Sequence, residues 1–252
     1  MKIGVQLYTV RDETAKNFIG TLEKIAEMGY EGVEFAGYGG LKAQELADAL
    51  KRLNLAAAGS HVSIEQLVDH LDEQIEMNTA IGNRYIACPG IQESRYNSLE
   101  ALLHTAEQLA NASDRLAEHG IKLGYHNHDF EFTRKLGDDT VFDTLFRLVP
   151  AEKLFTELDV CWVQYAGYDP LSVIASYKGR IPLVHYKDLR RDEQGRPLTV
   201  ELGEGELDLV SIARASKEAG AEWLIVEQDE CQRPSLESIR NSRQWIKNNL
   251  GQ

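Results

Sequence analysis

Residues 121–131 read Ile121-Lys122-Leu123-Gly124-Tyr125-His126-Asn127-His128-Asp129-Phe130-Glu131, a short apolar run that stops in histidine and acid. Three later stretches repeat the plan. Leu154-Phe155-Thr156 leads into Glu157-Leu158-Asp159, Ile181-Pro182-Leu183-Val184 into His185-Tyr186-Lys187-Asp188, and Trp223-Leu224-Ile225-Val226 into Glu227-Gln228-Asp229. Each run is short, β-prone and apolar enough for a buried strand. Carboxylates and imidazoles are costly to desolvate unless they pair or bind a cation. Strands that aim such groups at one end of a sheet therefore point to a metal site.

Outward from these segments, β-prone runs recur near Ile3 to Leu7, Gly32 to Phe35, Ala56 to Gly59, Tyr85 to Cys88, Ile121 to Tyr125, Leu154 to Leu158, Ile181 to His185 and Trp223 to Glu227. Their starts lie about 30 residues apart, the size of one strand–helix unit. Amphipathic stretches fill the gaps: Phe18, Leu22 and Ile25 mark one apolar face, and Leu99, Leu102, Leu103, Leu109 and Leu116 mark that of the longest helix. Helical stretches stop at glycine, as at Gly29 and Gly220, and start at caps such as Ser63 or Asp169-Pro170. Such alternation predicts an α/β chain folded as a single-domain (β/α)8 TIM barrel over residues 1–252. An open doubly wound sheet is disfavoured, because no glycine-rich phosphate turn follows the first strand. The polar segment from Arg190 to Glu206, with Gly195, Pro197, Gly203 and Gly205, is expected to be an irregular active-site loop.

Lys and Arg number 27 against 40 Asp and Glu, for a formal net charge of -13. That balance repels phosphate backbones and argues against nucleic acid as a partner. The 3 cysteines, Cys88, Cys161 and Cys231, lack paired spacing, which fits a reduced, cytoplasmic compartment. The opening Met1-Lys2-Ile3-Gly4-Val5 has no signal-peptide pattern, and no apolar run is long enough for a membrane span.

On a barrel of this kind the loops after the strands build the active site. Asp159, His185 and Glu227 end the sixth, seventh and eighth strands, so their side chains can converge. Two carboxylates and an imidazole suit one divalent cation: Mn2+, Zn2+, Mg2+ or Co2+. His126, His128 and Glu131 are the candidates for a fourth ligand, and spacing does not choose among them. Gln6, Glu34, His61 and Trp162 also lie at or near strand ends, as candidates for substrate contact or for packing. Lys187 shares a face with His185 and could bind a substrate oxygen or pair with Glu157. His126 or His128 could serve as a base, since an ordinary imidazole titrates near neutrality.

Together with Gly4-Val5-Gln6-Leu7-Tyr8-Thr9-Val10-Arg11, Gly32-Val33-Glu34-Phe35 and Gly203-Glu204-Gly205-Glu206-Leu207-Asp208, these motifs resemble, nearly end to end, the sugar phosphate isomerase/epimerase proteins with a xylose isomerase-like TIM barrel. The resemblance implies an enzyme of carbohydrate metabolism that takes a small-molecule sugar or keto-sugar. It implies one divalent ion, Mn2+ favoured, held by a strand-five Glu, a strand-six Asp, a strand-seven His and a strand-eight Glu. Asp159, His185 and Glu227 match the last three. His126 stands where epimerases of the tagatose 3-epimerase type have Glu, and Glu131 is the expected replacement ligand. Trp162 stands where many relatives have a second His. The histidine-rich end of strand five is similar to that of the sugar-dehydratase branch, which includes myo-inosose dehydratase.

The implied reaction removes a proton next to a carbonyl through a metal-stabilised enediolate. His126, His128 and Glu227 are the expected proton carriers, and Lys187 is expected at the enolate oxygen. Epimerisation, isomerisation, dehydration and 3-keto-glycoside cleavage share this intermediate, and a non-catalytic sugar-binding barrel is the rival. Assembly into a homo-oligomer rests on family analogy alone. Endonuclease IV belongs to the same superfamily, but this chain has few suitably placed ligands for its multi-zinc chemistry.

Overall fold

The computed structural model describes residues 1–251. Eight strands, β1 (Lys2–Gln6), β2 (Gly32–Phe35), β3 (Ala56–His61), β4 (Tyr85–Cys88), β5 (Lys122–His126), β6 (Phe155–Asp159), β7 (Leu183–Tyr186) and β8 (Trp223–Val226), form a closed barrel. They pair in parallel, and Val5 of β1 aligned with Val226 of β8 closes the ring. Helices lie between successive strands and cover the outside, as the sequence pattern predicts. The stretch between β4 and β5 holds the longest of them, Leu99–Ala117. It buries Leu102, Ala106, Leu109 and Leu116, one stripe at helical spacing. Leu99 and Leu103, expected on that face, fall outside the stripe and are exposed. The helix before β8 ends on a left-handed Gly220, and Asp169 caps the helix Pro170–Ser176 by accepting from the Leu171 and Ser172 amides.

Side chains alternate along a strand, so each strand sends one set outward to the helices and one inward. The outward sets join the large helix-facing core, with Ile3, Val5, Val33, Leu158 and Val184. The inward sets begin with a separate apolar cluster: Ala58, Tyr85, Phe155, Leu183, Trp223 and Ile225. This cluster floors the barrel interior. Two residues further along the same strands, the inward positions turn polar: Glu157 after Phe155, His185 after Leu183 and Glu227 after Ile225.

The segment after β7 differs from expectation. Residues Asp188–Arg191 and Pro197–Val200 form an antiparallel hairpin, not an irregular loop. The chain that follows is pinned by Asp188, whose carboxylate accepts from the backbone amides of Leu189, Gly203, Gly205 and Leu207 at 2.9–3.2 Å. Asp188, Leu189, Thr199 and Val200 are buried while Arg190 and Arg191 are exposed, and the apolar residues stand singly among polar ones, so composition alone reads as loop. Among the described residues, no helix is long and apolar enough to cross a membrane.

The floor depends on a close approach at Gly124. It pairs in register with Phe155, and a β-carbon there would overlap the Phe155 ring. Gly124→Ala is expected to destabilise the protein by about 1–3 kcal/mol, the usual cost of overpacking. Chemical denaturation of both proteins checks this, and an unchanged midpoint would refute the packing role.

Candidate metal and active site

The inward residues above the floor form two tiers of charge. The upper tier is Asp159, Lys187, Glu227 and Asp229. Lys187 is fully buried, and its Nζ lies 2.8 Å from Asp159, 2.6 Å from Glu227 and 3.1 Å from Asp229. The sequence offered Glu157 as a partner for this lysine; the observed partners are these three carboxylates. The other oxygen of Asp159 accepts from the Cys161 and Trp162 amides at 2.9 and 3.0 Å, capping the short helix Val160–Tyr165.

The lower tier is Gln6, Glu34, His61 and Glu157. Gln6 donates to Glu34 at 2.8 Å, and the nearest His61–Glu157 nitrogen–oxygen pair is 2.6 Å apart. Gly59 leaves the space that the Glu34 carboxylate fills, since a β-carbon there would collide with Oε1. His185 and His126 join the tiers. His185 places Nδ1 2.8 Å from Glu227 and Nε2 2.6 Å from Glu34. His126 has Nδ1 3.2 Å from Glu157 and Nε2 3.9 Å from Asp159.

Burial opposes every charge here, and the partners decide which charges survive. Burial raises the Glu227 carboxyl, but Lys187 and His185 outweigh it and hold the group well below its usual range. Burial lowers Lys187, but Asp159, Asp229 and Glu227 keep it well above its ordinary value. His185 is likewise raised, because Glu157, Glu34 and Glu227 overcome its desolvation. His126 is driven far down by burial and then by the neighbouring His185 and His61, so it is neutral. Burial, reinforced by Lys187, lowers His128 to about 4.

Four ligand-type groups, His126, Asp159, His185 and Glu227, bring one donor atom each within 4.8 Å of one another. A second set at the same spacing, His61, His126, Glu157 and His185, lies beside it. Glu157 Oε1 is buried without a hydrogen bond, and Asp159 Oδ2 has only the Lys187 ammonium within hydrogen-bond distance, at 2.8 Å. Buried acceptors of that kind fit a cation, and a mixed nitrogen and carboxylate donor set fits a borderline divalent ion. Each imidazole can offer one nitrogen while the other faces a lower carboxylate, the usual support for a metal-bound histidine. The lysine ammonium lies between Asp159 and Glu227, so it competes for the same two carboxylates.

The structure brings Asp159, His185, Glu227 and Lys187 together, and of the three strand-five candidates it places His126 with them. Glu131 does not reach them. Its carboxylate is buried beside β5, where it accepts from the Tyr125 hydroxyl at 2.7 Å and the His128 amide at 2.8 Å. The short helix Phe130–Thr133 turns Glu131 back toward its own strand, which is why the expected ligand is displaced. Gln6 and Glu34 sit in the lower tier, sealed from solvent, and do not line the mouth. His61 does, with Tyr8, His126, His128, Glu227 and Asp229, around a cavity of about 480 Å³. Trp162 packs 6.0 Å from His128 and 5.6 Å from Lys187 Nζ. Glu157 and Asp229 received no site role from the sequence. Both lie two residues along a strand line from a named candidate, Asp159 and Glu227, and share its face. A cavity of about 620 Å³ at the opposite barrel end is lined by groups such as Lys2, Glu31 and Asn54, without histidine. The ligand-type groups therefore gather at the mouth.

Glu131 supplies a separate test. Burial raises it from an ordinary 4.5 to about 8, against the lowering effect of its bonds to Tyr125 and the His128 amide. The folded protein thus keeps a proton that the unfolded chain releases. The stability this contributes is whole below about pH 4.5 and is lost as pH rises through about 8. Glu131→Gln carries no such proton, so the stability gap between wild type and variant is expected to shift in the variant's favour over that window. Melting both proteins across it reads the effect; a gap independent of pH would contradict it.

Comparison with known proteins agrees with this architecture. A family model described as xylose isomerase-like TIM barrel matches residues 22–249. An inosose dehydratase from Lacticaseibacillus casei is 28% identical over 141 residues, which is 50% of this chain and 46% of that protein. The match thus spans about half the length of that curated relative. The structure of a sugar phosphate isomerase/epimerase from Parabacteroides distasonis superposes with a TM-score of 0.83 at 19% identity, covering 98% of this chain and 95% of the other. A probable 3-DHS dehydratase from Bacillus anthracis gives 0.79 at 15% identity, covering 98% and 99%. At such identities the solved structures speak for the fold. The chain belongs to the xylose isomerase-like TIM barrel family.

Proposed function

We propose that this protein is a divalent-metal-dependent enzyme that removes a proton from the carbon next to the carbonyl of a keto-sugar. The observation that carries the reading is the convergence of His126, Asp159, His185 and Glu227 beside an open cavity, one donor atom each within 4.8 Å of the others. These four residues would hold the ion, which when bound supplies Lewis-acid polarisation of the substrate oxygens.

The remaining work falls to the chain itself. His128 lines the cavity, is neutral, and keeps Nδ1 buried without a hydrogen bond, so it can accept the proton. With Asp159 and Glu227 committed to holding the ion, Lys187 would keep Asp229 as its partner, and its ammonium would be free to donate to a developing enolate oxygen. Glu34 and Glu157 orient His185 and His126 from below.

Within this chemistry we favour dehydration. Epimerisation needs a second proton carrier on the opposite face of the carbon. Here Glu227 is engaged by Lys187 and His185, and Glu131 lies away from the cavity. His128 is left as the free base. In the favoured step it takes the proton, the C–H electron pair forms the enolate, and the enolate expels the β-hydroxyl. The departing oxygen recovers the proton from His128, giving an enone and water. The dehydratase name borne by the Lacticaseibacillus relative supports this choice.

Two results are expected. Asp159→Asn combined with His185→Ala should abolish binding of Mn2+ and, with it, deuterium uptake from solvent next to the ketone of a bound keto-sugar. Metal content equal to wild type would sink the site, and uptake without metal would sink the mechanism. Lys187→Met removes the competing ammonium, so Mn2+ is expected to bind several-fold tighter while deuterium uptake falls. Calorimetry and mass spectrometry separate the two effects, and weaker Mn2+ binding would refute the competition.

A further inference from the structure

Lys187 stands at a break between two ladders. The register of β7 against β8 runs as far as Tyr186 beside Val226, and that of the hairpin opens with Asp188 beside Val200. The lysine between them belongs to neither strand. Its ammonium nevertheless lies 2.6–3.1 Å from three carboxylates. Something besides strand pairing has to fix the backbone that carries it. The next residue, Asp188, is fully buried, and its carboxylate faces away from the mouth into the chain beyond the hairpin.

There Asp188 holds the amides of Leu189, Gly203, Gly205 and Leu207 together. Backbone amides that converge in this way make a nest for an anion, and here the anion is the protein's own side chain. The nest admits little bulk: a β-carbon on Gly205 would overlap Asp188 Oδ1. Four donors on one carboxylate fix the chain one residue from Lys187. We propose that Asp188 is a positioning residue for Lys187: its grip on the nest sets where the ammonium stands among Asp159, Glu227 and Asp229, and so how strongly the lysine competes with a divalent ion. This deepens the proposed metal-dependent reading and rests on it. A loosened nest frees the lysine to drift from the two carboxylates it shares with the ion. It also moves the ammonium away from the enolate oxygen, where a shift of about 1 Å can cost about a hundredfold in rate.

Calorimetry of Mn2+ with the whole protein reads the competition. Asp188→Ala empties the nest. Gly205→Ala displaces the same carboxylate from 17 residues further along the chain, which keeps the test in force if the first variant does not fold. Both are expected to bind Mn2+ several-fold tighter than wild type and to take up less deuterium next to the ketone of a bound keto-sugar. In a Lys187→Met background, Asp188→Ala is expected to leave Mn2+ affinity unchanged, since a residue that acts through the lysine then has nothing to act on. Formate, small enough for the emptied nest, is expected to return Asp188→Ala toward wild-type Mn2+ affinity and to leave Gly205→Ala as it was. Weaker Mn2+ binding in both variants, an Asp188→Ala effect equally large without the lysine, or no response to formate makes Asp188 a structural anchor alone; each overturns the inference and leaves the metal reading intact. Wild-type protein that binds no Mn2+ overturns both together.

Discussion

Four carboxylates, Glu34, Glu157, Asp159 and Glu227, are withdrawn from water inside one barrel mouth, and they cannot all be ionised without positive charge among them. Lys187 and His185 supply part of that charge, and their raised basicity measures how strongly the acids demand it. Removing either cation would leave a buried acid uncompensated, which is costlier than never having built the pair. The same demand makes the site receptive to a divalent ion. Pairing and metal binding are thus two answers to one electrostatic problem, and the lysine is where they meet.

That concentration of charge requires a barrel that is oil below and polar above. The change occurs over one inward step of each strand, from Phe155 to Glu157, Leu183 to His185 and Ile225 to Glu227. The loops then hold the mouth in shape. Arg11 donates to the Asp229 carbonyl at 2.9 Å, and Thr199 of the hairpin exchanges hydrogen bonds with the Glu230 backbone. Asp188, next to Lys187, ties down the chain beyond the hairpin with four backbone amides. A site lysine therefore stands between a buried histidine and a structural anchor.

Much of this was legible in the sequence, for physical reasons that differ by element. The strands were readable because both of their faces are buried, which leaves short unbroken apolar runs with glycine or polar caps. The convergence of Asp159, His185 and Glu227 followed from strand ends and neighbouring positions in a barrel. Glu131 misled because one turn of helix decides where a side chain five residues past a strand will point, and spacing carries no record of that turn. Glu157 was hidden inside an apparently apolar strand, where alternation places it with Asp159 on the inner face. The hairpin after β7 was hidden because its apolar residues, Leu189, Leu198 and Val200, stand singly among polar and charged ones and leave no continuous apolar run.

The apolar floor has a kinetic meaning. Phe155, Trp223 and Ile225 form an apolar floor beneath the charged tiers, and the cavity at the mouth is the polar way in. Traffic through one doorway has to queue. An ion held by the inner carboxylates must arrive before anything that fills the chamber above it, and it must depart afterwards. Under the proposed reading, substrate would act as the stopper on the ion, and metal would be lost most readily from the protein between turnovers.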